Sequence, residues 1–279
     1  MEEFLREIEH LIISTKKRLI TGAVGNRKGK GLGSSHDFYG HRIYIPGDDI
    51  RRIDWKAYVR TEKFYVREFT EEREMKVNII LDSSASMDFG IPNKLNTAKM
   101  ITLGIAYITL NQLDSLSIYT INEKIEILRE DIKGKYNFYQ LINPIKEVKG
   151  KRKTEFGLLK GFRSLRYGKT FIISDLFSKN LSLALDYLCS KGQDIVVLHI
   201  LAPEEINPNY NGEIKLIDIE TNENRMIQVD KIINDIYIKK IKKFVEKNKE
   251  ICQCRDVKYV YSTTDMDYIS ILHKITEVT

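Results

Sequence analysis

The sequence predicts an α/β fold, a mainly parallel sheet with helices on both faces. Three observations carry that prediction. Short apolar runs alternate along the chain with segments of helical periodicity, the order that strand–helix–strand units produce. Several runs, Val77-Asn78-Ile79-Ile80-Leu81 and Thr170-Phe171-Ile172-Ile173 among them, are nearly continuous in apolar residues, as strands covered on both sides are. The length of 279 residues suffices for one large α/β domain with a substantial annex.

Taken in order, Phe4, Leu5, Ile8, Leu11, Ile12 and Leu19 recur at roughly helical spacing and predict an amphipathic helix over 3–20. Between His10 and Ser35 the chain carries Lys16, Lys17, Arg18, Arg27, Lys28 and Lys30 with no acidic residue, interleaved with five glycines from Gly22 to Gly33. That segment reads as a flexible basic arm. Short strands are expected at Ile43/Ile45 and Phe64/Val66, around the turn Pro46-Gly47-Asp48-Asp49. The run ending in Asp82 is followed by a helix over Lys94 to Leu113. Leu116 to Thr120 and Ile125 to Leu128 then form a hairpin across three residues. A helical region leads to Thr154, and a further helix is expected over Glu155 to Leu165. Next come a strand ending at Ser174, a helix over Leu181 to Ser190, and a strand over Asp194 to Leu201. Gly212 to Val229 reads as an inserted hairpin around Thr221-Asn222-Glu223-Asn224. A strand at Val257 to Tyr261 and a helix from Asp267 to Ile275 close the chain. The expected division is an annex over 1–75 and a main domain over 76–279, with the hairpin at about 212–230.

Composition narrows the class. No stretch approaches the roughly 18 uninterrupted apolar residues of a membrane helix, and Met1-Glu2-Glu3 lacks the basic-then-apolar layout of a secretory signal. Cys189, Cys252 and Cys254 are odd in number and lack Cys-x-x-Cys spacing, so neither a disulfide framework nor a zinc site is expected. These features predict a cytoplasmic protein. The net charge of +6 is concentrated in the arm around 16–30, where nucleic-acid association is an alternative reading. No aromatic interleaving or known module accompanies the charge, so nucleic acid is not the expected partner.

The chemistry concentrates in three loops. In open α/β sheets ligands gather at the carboxyl ends of strands, and such loops here carry hard oxygen groups. The first is Leu81-Asp82-Ser83-Ser84-Ala85-Ser86-Met87, in which Asp82 offers a carboxylate and Ser84 and Ser86 offer two hydroxyls. The second is Lys153-Thr154-Glu155, with Thr154 in the position of a helix N-cap. The third is Ile173-Ser174-Asp175-Leu176, with Asp175 just past a buried strand. Carboxylates and hydroxyls suit Mg²⁺ first, and Mn²⁺ or Ca²⁺ after it. Such a site leaves a coordination position open for a carboxylate from another protein. Each loop alone reads more simply as a helix cap. The three together, in this order, favour a metal.

Other motifs fail. Gly168-Lys169-Thr170 lacks the leading glycine of a phosphate loop and precedes a strand instead of following one. There is no Gly-x-Ser-x-Gly elbow and no His-Glu-x-x-His spacing. Asp82-x-Ser84 has a serine where aspartyl phosphatases carry their second acid. A Mg²⁺-dependent phosphohydrolase using Asp82 is therefore only an alternative, and no enzyme activity is expected. His199, within an apolar run, reads as a satisfied core histidine. Asp48, Asp49 and Asp54 interleave with Arg42, Arg51 and Arg52, which points to local ion pairs and turns instead of a second metal cluster. Trp55, Tyr58, Phe64 and Tyr65 read as core between the annex and the sheet.

Asp82-x-Ser84-x-Ser86 resembles the first motif of the metal-ion-dependent adhesion site of von Willebrand factor A domains, and Thr154 and Asp175 resemble the second and third. The resemblance implies that Ser84, Ser86 and Thr154 ligate the metal directly, and that Asp82 and Asp175 act directly or through water. Lys151, Arg152 and Lys153 stand before Thr154 where such domains often have glycines. Upstream, the stretch from Gly40 to Trp55, with Ile45-Pro46-Gly47-Asp48-Asp49 at its centre, is similar to the signature of the domain of unknown function 58 family. So is Tyr65-Val66-Arg67-Glu68-Phe69-Thr70-Glu71-Glu72-Arg73-Glu74. Membership implies a von Willebrand factor A-like, Rossmann-like fold. It also implies work as an adaptor or chaperone-like factor with a MoxR-type AAA+ ATPase or its client. Many members carry two membrane helices ahead of this region, and their absence here adds to the cytoplasmic expectation.

Overall fold

The computed structural model describes residues 2–14, 37–70, 75–165, 167–208, 210, 212–217 and 224–277. The basic segment at 16–30 lies outside them. In chain order the elements are α1 (Glu2–Ile8), β1 (Asp37–Ile43), α2 (Trp55–Thr61), β2 (Tyr65–Thr70), β3 (Lys76–Asp82) and α3 (Lys94–Asn111). They continue with β4 (Ser115–Ile121), β5 (Ile125–Ile132), α4 (Tyr139–Glu147), β6 (Lys169–Ser174), α5 (Leu181–Ser190) and β7 (Asp194–Leu201). Last come α6 (Pro203–Ile206), β8 (Gly212–Ile217), β9 (Asn224–Val229), α7 (Lys231–Gln253), β10 (Lys258–Thr263) and α8 (Tyr268–Thr276). The chain forms two compact units, one of residues 1–19 with 75–279 and the other of residues 20–74.

The larger unit is the expected α/β architecture. Its six-stranded sheet has the order β10-β7-β6-β3-β4-β5. Every neighbouring pair is parallel except β4 and β5, which form the expected antiparallel hairpin. Alternate residues of β3 explain its almost unbroken apolar run. Val77, Ile79 and Leu81 face a core shared with Ile101 and Ile105 of α3 and with Ile271 and Leu272 of α8. Ile80 faces the opposite core, with Leu185 and Leu188 of α5, Cys252 of α7, and Phe156 and Leu159 from the segment before β6. Each of these side chains, fully buried, stabilises the fold by roughly 1.5–3 kcal/mol before entropy is counted. In α3, 14 of the 18 residues are buried, so this helix is covered nearly all round.

Chain order and strand order diverge at β3. The path steps from β3 to β4 on one side, then returns to lay β6 on the other. Helix α3 leaves β3 over one face of the sheet, and α5 leaves β6 over the opposite face. The crevice outside the carboxyl ends of β3 and β6 is therefore the topological switch point, where such sheets bind ligands.

Several expectations change. The amino-terminal helix ends at Ile8 instead of continuing to 20. Beyond it Leu11 and Ile13 are buried, and the Gln112 side chain takes both backbone groups of Ile13, at 2.9 and 3.2 Å. That tertiary pairing replaces the next helical turn. Over Glu155 to Leu165 only a 3-10 segment forms, Phe156–Gly161, capped by Glu155. The longest helix, α7, is missing from the expected element order. Lys239, Lys240, Lys242 and Lys243 dilute its apolar stripe, which buries only Ile241, Asn248 and Cys252.

Gly168-Lys169-Thr170 has a packing role. Lys169 bonds the Ser14 carbonyl at 2.5 Å and Asp194 at 3.3 Å. A Cβ on Gly168 would lie 2.0 Å from the backbone oxygen of Lys76 in the adjacent strand. Because that oxygen belongs to the sheet, Gly168→Ala is expected to destabilise the protein by about 1–3 kcal/mol, read in urea unfolding. An unchanged midpoint would show that the β3–β6 edge yields freely.

The smaller unit pairs β1 with β2 antiparallel. Its acids do local work, as the sequence indicates. Arg42 forks onto Asp48 at 2.7 and 2.6 Å, which holds that carboxyl down at about 2. Asp49 caps the short turn at 50–52. Asp54 caps α2 and pairs with His41 at 2.7 Å. Among the described residues no group of three or more His, Cys, Asp or Glu is placed to hold a metal. The aromatic residues are less buried than a core role requires: Trp55 is 58% and Phe64 43% exposed. They pack on one another instead, with Tyr58 stacked on Phe64 at 4.5 Å and Trp55 edge-on to both.

Candidate metal centre

Asp82 closes β3 at the switch point and is almost wholly buried. Its Oδ1 accepts the Ser84 amide at 2.9 Å and the Thr154 hydroxyl. Its Oδ2 accepts the Ser174 hydroxyl at 2.5 Å. The Ser84 and Ser86 hydroxyls lie 3.0 Å apart. Four of the five expected site residues are thus adjoining neighbours, although Thr154 stands 72 residues beyond Asp82. Two backbone bonds make that approach possible: Lys151 N–H donates to the Ser83 carbonyl at 2.9 Å, and Ala85 N–H to the Arg152 carbonyl at 2.8 Å. They leave no room for a side chain at Gly150, where a Cβ would meet the Ser84 carbonyl at 2.8 Å.

The helix-cap alternative can be checked directly. Ser84 precedes a short 3-10 turn but makes no side-chain cap bond. Helix α3 is capped by Asn93. The segment after Thr154 is capped by Glu155, which corrects the N-cap position expected for Thr154. The hydroxyls of Ser84 and Thr154 are directed to Ser86 and Asp82 and do not serve a helix terminus.

Asp175 lies just past β6, buried, and touches none of the other four through a hydrogen bond. Its Oδ1 accepts the Phe177 amide at 3.2 Å, and its Oδ2 accepts the Lys94 ammonium at 2.7 Å. It acts on Asp82 through its charge. Burial, and after it the field of Asp175, push the Asp82 carboxyl up to about 6. A neighbouring carboxylate raises the cost of ionising a buried acid, which a cation beside Asp82 would relieve; Lys94 already meets that need for Asp175. The set of two carboxylates and three hydroxyls, without sulfur or nitrogen, fits a hard divalent ion.

Sequence reading missed Ser174, Lys94 and Glu205. Ser174 is fully buried, and its hydroxyl serves Asp82 while accepting the Leu176 amide at 2.8 Å. Lys94 had a local signal: positions 94, 98, 101 and 105 share the buried face of α3, so a lysine there needs a partner. His199 is half satisfied. Its Nδ1 meets the Tyr259 hydroxyl at 2.6 Å, its Nε2 has no partner among the described residues, and burial lowers the imidazole to about 4.

Fold and site together define a class: a doubly wound α/β domain that gathers hydroxyls and carboxylates at the switch point of its sheet. Residues 40–246 match the family described as "Protein of unknown function DUF58", and the chain belongs to that family. An uncharacterized protein of Mycobacterium tuberculosis is 24% identical over 204 residues, 70% of this chain. The chain covers 64% of that relative's length. Conserved hypothetical protein BatB from Bacteroides thetaiotaomicron is a similar solved structure, at 16% identity and a TM-score of 0.46, over 72% of this chain and 97% of that one. The SpRpn10 VWA domain is similar at 12% identity and a TM-score of 0.41, over 72% and 94%. No helix among the described residues is long and apolar enough to cross a membrane.

Proposed function

We propose that this chain is a metal-dependent protein-binding module without catalytic activity. The observation that carries the reading is the gathering of Ser84, Ser86 and Thr154 hydroxyls beside Asp82 and Asp175, with Ser84 and Thr154 left unused as helix caps. A bound Mg²⁺, or Mn²⁺ or Ca²⁺ in its place, supplies an open coordination position for an Asp or Glu carboxylate of a partner. The surroundings favour an acidic partner segment. A groove of about 470 Å³ adjoins the loop at Ser83, and its lining includes Lys124, Lys149, Lys151 and Arg152 against Glu126 and Glu147. By family resemblance the partner is a MoxR-type AAA+ ATPase or its client, and the chain works beside it as an adaptor in the cytoplasm.

Pull-down with that ATPase is expected to require divalent metal, and to be lost with chelator or in Ser84→Ala while the melting temperature in chelator stays put. Unchanged capture in Ser84→Ala overturns the reading. Metal-dependent phosphatase turnover abolished by Asp82→Asn would instead establish the hydrolase alternative.

A further inference from the structure

The side chain of Lys94 is entirely buried at the first turn of α3. A cation there opposes the helix dipole, and removing an ammonium from water costs several kcal/mol. Its Nζ donates to Asp175 Oδ2 at 2.7 Å and to Glu205 Oε1 at 2.6 Å. The other oxygen of Glu205 accepts the Ala202 amide at 2.8 Å, and the other oxygen of Asp175 accepts the Phe177 amide at 3.2 Å. A continuous chain, Glu205–Lys94–Asp175, therefore runs from α6 to the metal loops, with each carboxylate held at both oxygens.

We propose that Lys94, anchored by Glu205, is a positioning residue that holds Asp175 out of direct metal contact and sets the affinity of the site for divalent cations. The inference rests on the metal reading above. By pairing with Asp175, Lys94 would weaken the attraction which that carboxylate could offer a cation in the site. Asp82 and the three hydroxyls would then be the groups left to hold a cation, and a carboxylate brought by the partner would complete them. Glu205 in turn keeps the Lys94 charge from repelling the cation.

Two variants of opposite sign test this. Glu205→Gln removes a negative charge and leaves one acceptor oxygen, enough for the Ala202 amide or the Lys94 ammonium but not for both. Lys94→Met with Glu205→Gln leaves the net charge unchanged and frees Asp175. In Mn²⁺ titrations of the full chain followed by electron paramagnetic resonance, Glu205→Gln is expected to bind about tenfold more weakly. The double variant is expected to bind about tenfold more tightly, with one fewer metal-bound water in proton relaxation as Asp175 enters the coordination shell. A pair that is only structural would move the melting temperature and leave the water number alone. Shifts of the same sign in both variants, or an unchanged affinity in Glu205→Gln, overturn the clamp while leaving the metal reading intact. Absence of Mn²⁺ binding by the parent chain overturns the metal reading itself. Should the double variant fail to fold, Glu205→Gln alone decides.

Discussion

Asp82→Asn is expected to make the metal-free protein more stable at pH 7 and to abolish its response to Mg²⁺. The Asp82 carboxyl is raised from 3.8 to about 6 by burial and by Asp175. Between those values the folded chain holds a proton that the unfolded chain has released. The contribution of Asp82 to stability is therefore full below about 4, declines as pH rises, and has been lost by a little above 6. A shift of about two units corresponds to at most ~3 kcal/mol at neutral pH. Asparagine does not ionise. Its oxygen still accepts from Ser84 and Thr154, and its amide can donate to the Ser174 hydroxyl that served Oδ2. In chelator the variant is expected to match or fall below the parent at pH 4 and to exceed it at pH 7. With Mg²⁺ the order at pH 7 reverses, because only the parent offers a carboxylate at position 82, and Asp175 is held by Lys94. Urea melts at both pH values, with and without metal, check all four outcomes; a parent–variant gap that ignores pH would contradict the account.

Lys94→Met alone is expected to be the most damaging single change considered. It leaves the buried Asp175 and the half-buried Glu205 without their shared cation, and stranding one side of a buried ion pair typically destabilises by about 3–5 kcal/mol. Adding Glu205→Gln is expected to restore much of that loss, since one uncompensated charge disappears. The two changes are then strongly non-additive, as residues in one network are. Equilibrium unfolding of the two single variants and the double variant measures the coupling. A loss below about 1 kcal/mol for Lys94→Met would mean that the ammonium contributes little beyond filling space.

The sheet was legible because parallel strands buried on both faces must be apolar on both, and β3, β6 and β7 are. Asp82, Ser84 and Ser86 were legible because their spacing is local. Asp175 could be read from its place just past an apolar strand, whereas Thr154 rested on the family resemblance, because the helix it was expected to cap is a short 3-10 segment capped by Glu155. The remainder depends on contacts without local spacing. Lys94 meets Asp175 and Glu205 across 81 and 111 residues, and Gln112 holds Ile13, beyond the first helix, from 99 residues away. Nothing near Glu205 in sequence marks it as a partner of the site. Trp55 shows the opposite failure: a large aromatic residue suggests a core, yet in the structure it is mostly exposed beside Tyr58 and Phe64.

The strand order has a kinetic consequence. The site draws on segments from Asp82 to Asp175, and the bond between Ser174 and Asp82 spans 92 residues. It exists only once β6 has docked on β3, a non-local pairing that forms late because its loop-closure entropy must be met first. A ligand at this site recognises the finished sheet and little that precedes it. Its binding energy should therefore fall on the unfolding rate and leave the folding rate nearly untouched. A loaded chain would reach its native state no sooner than an empty one, but would remain there longer.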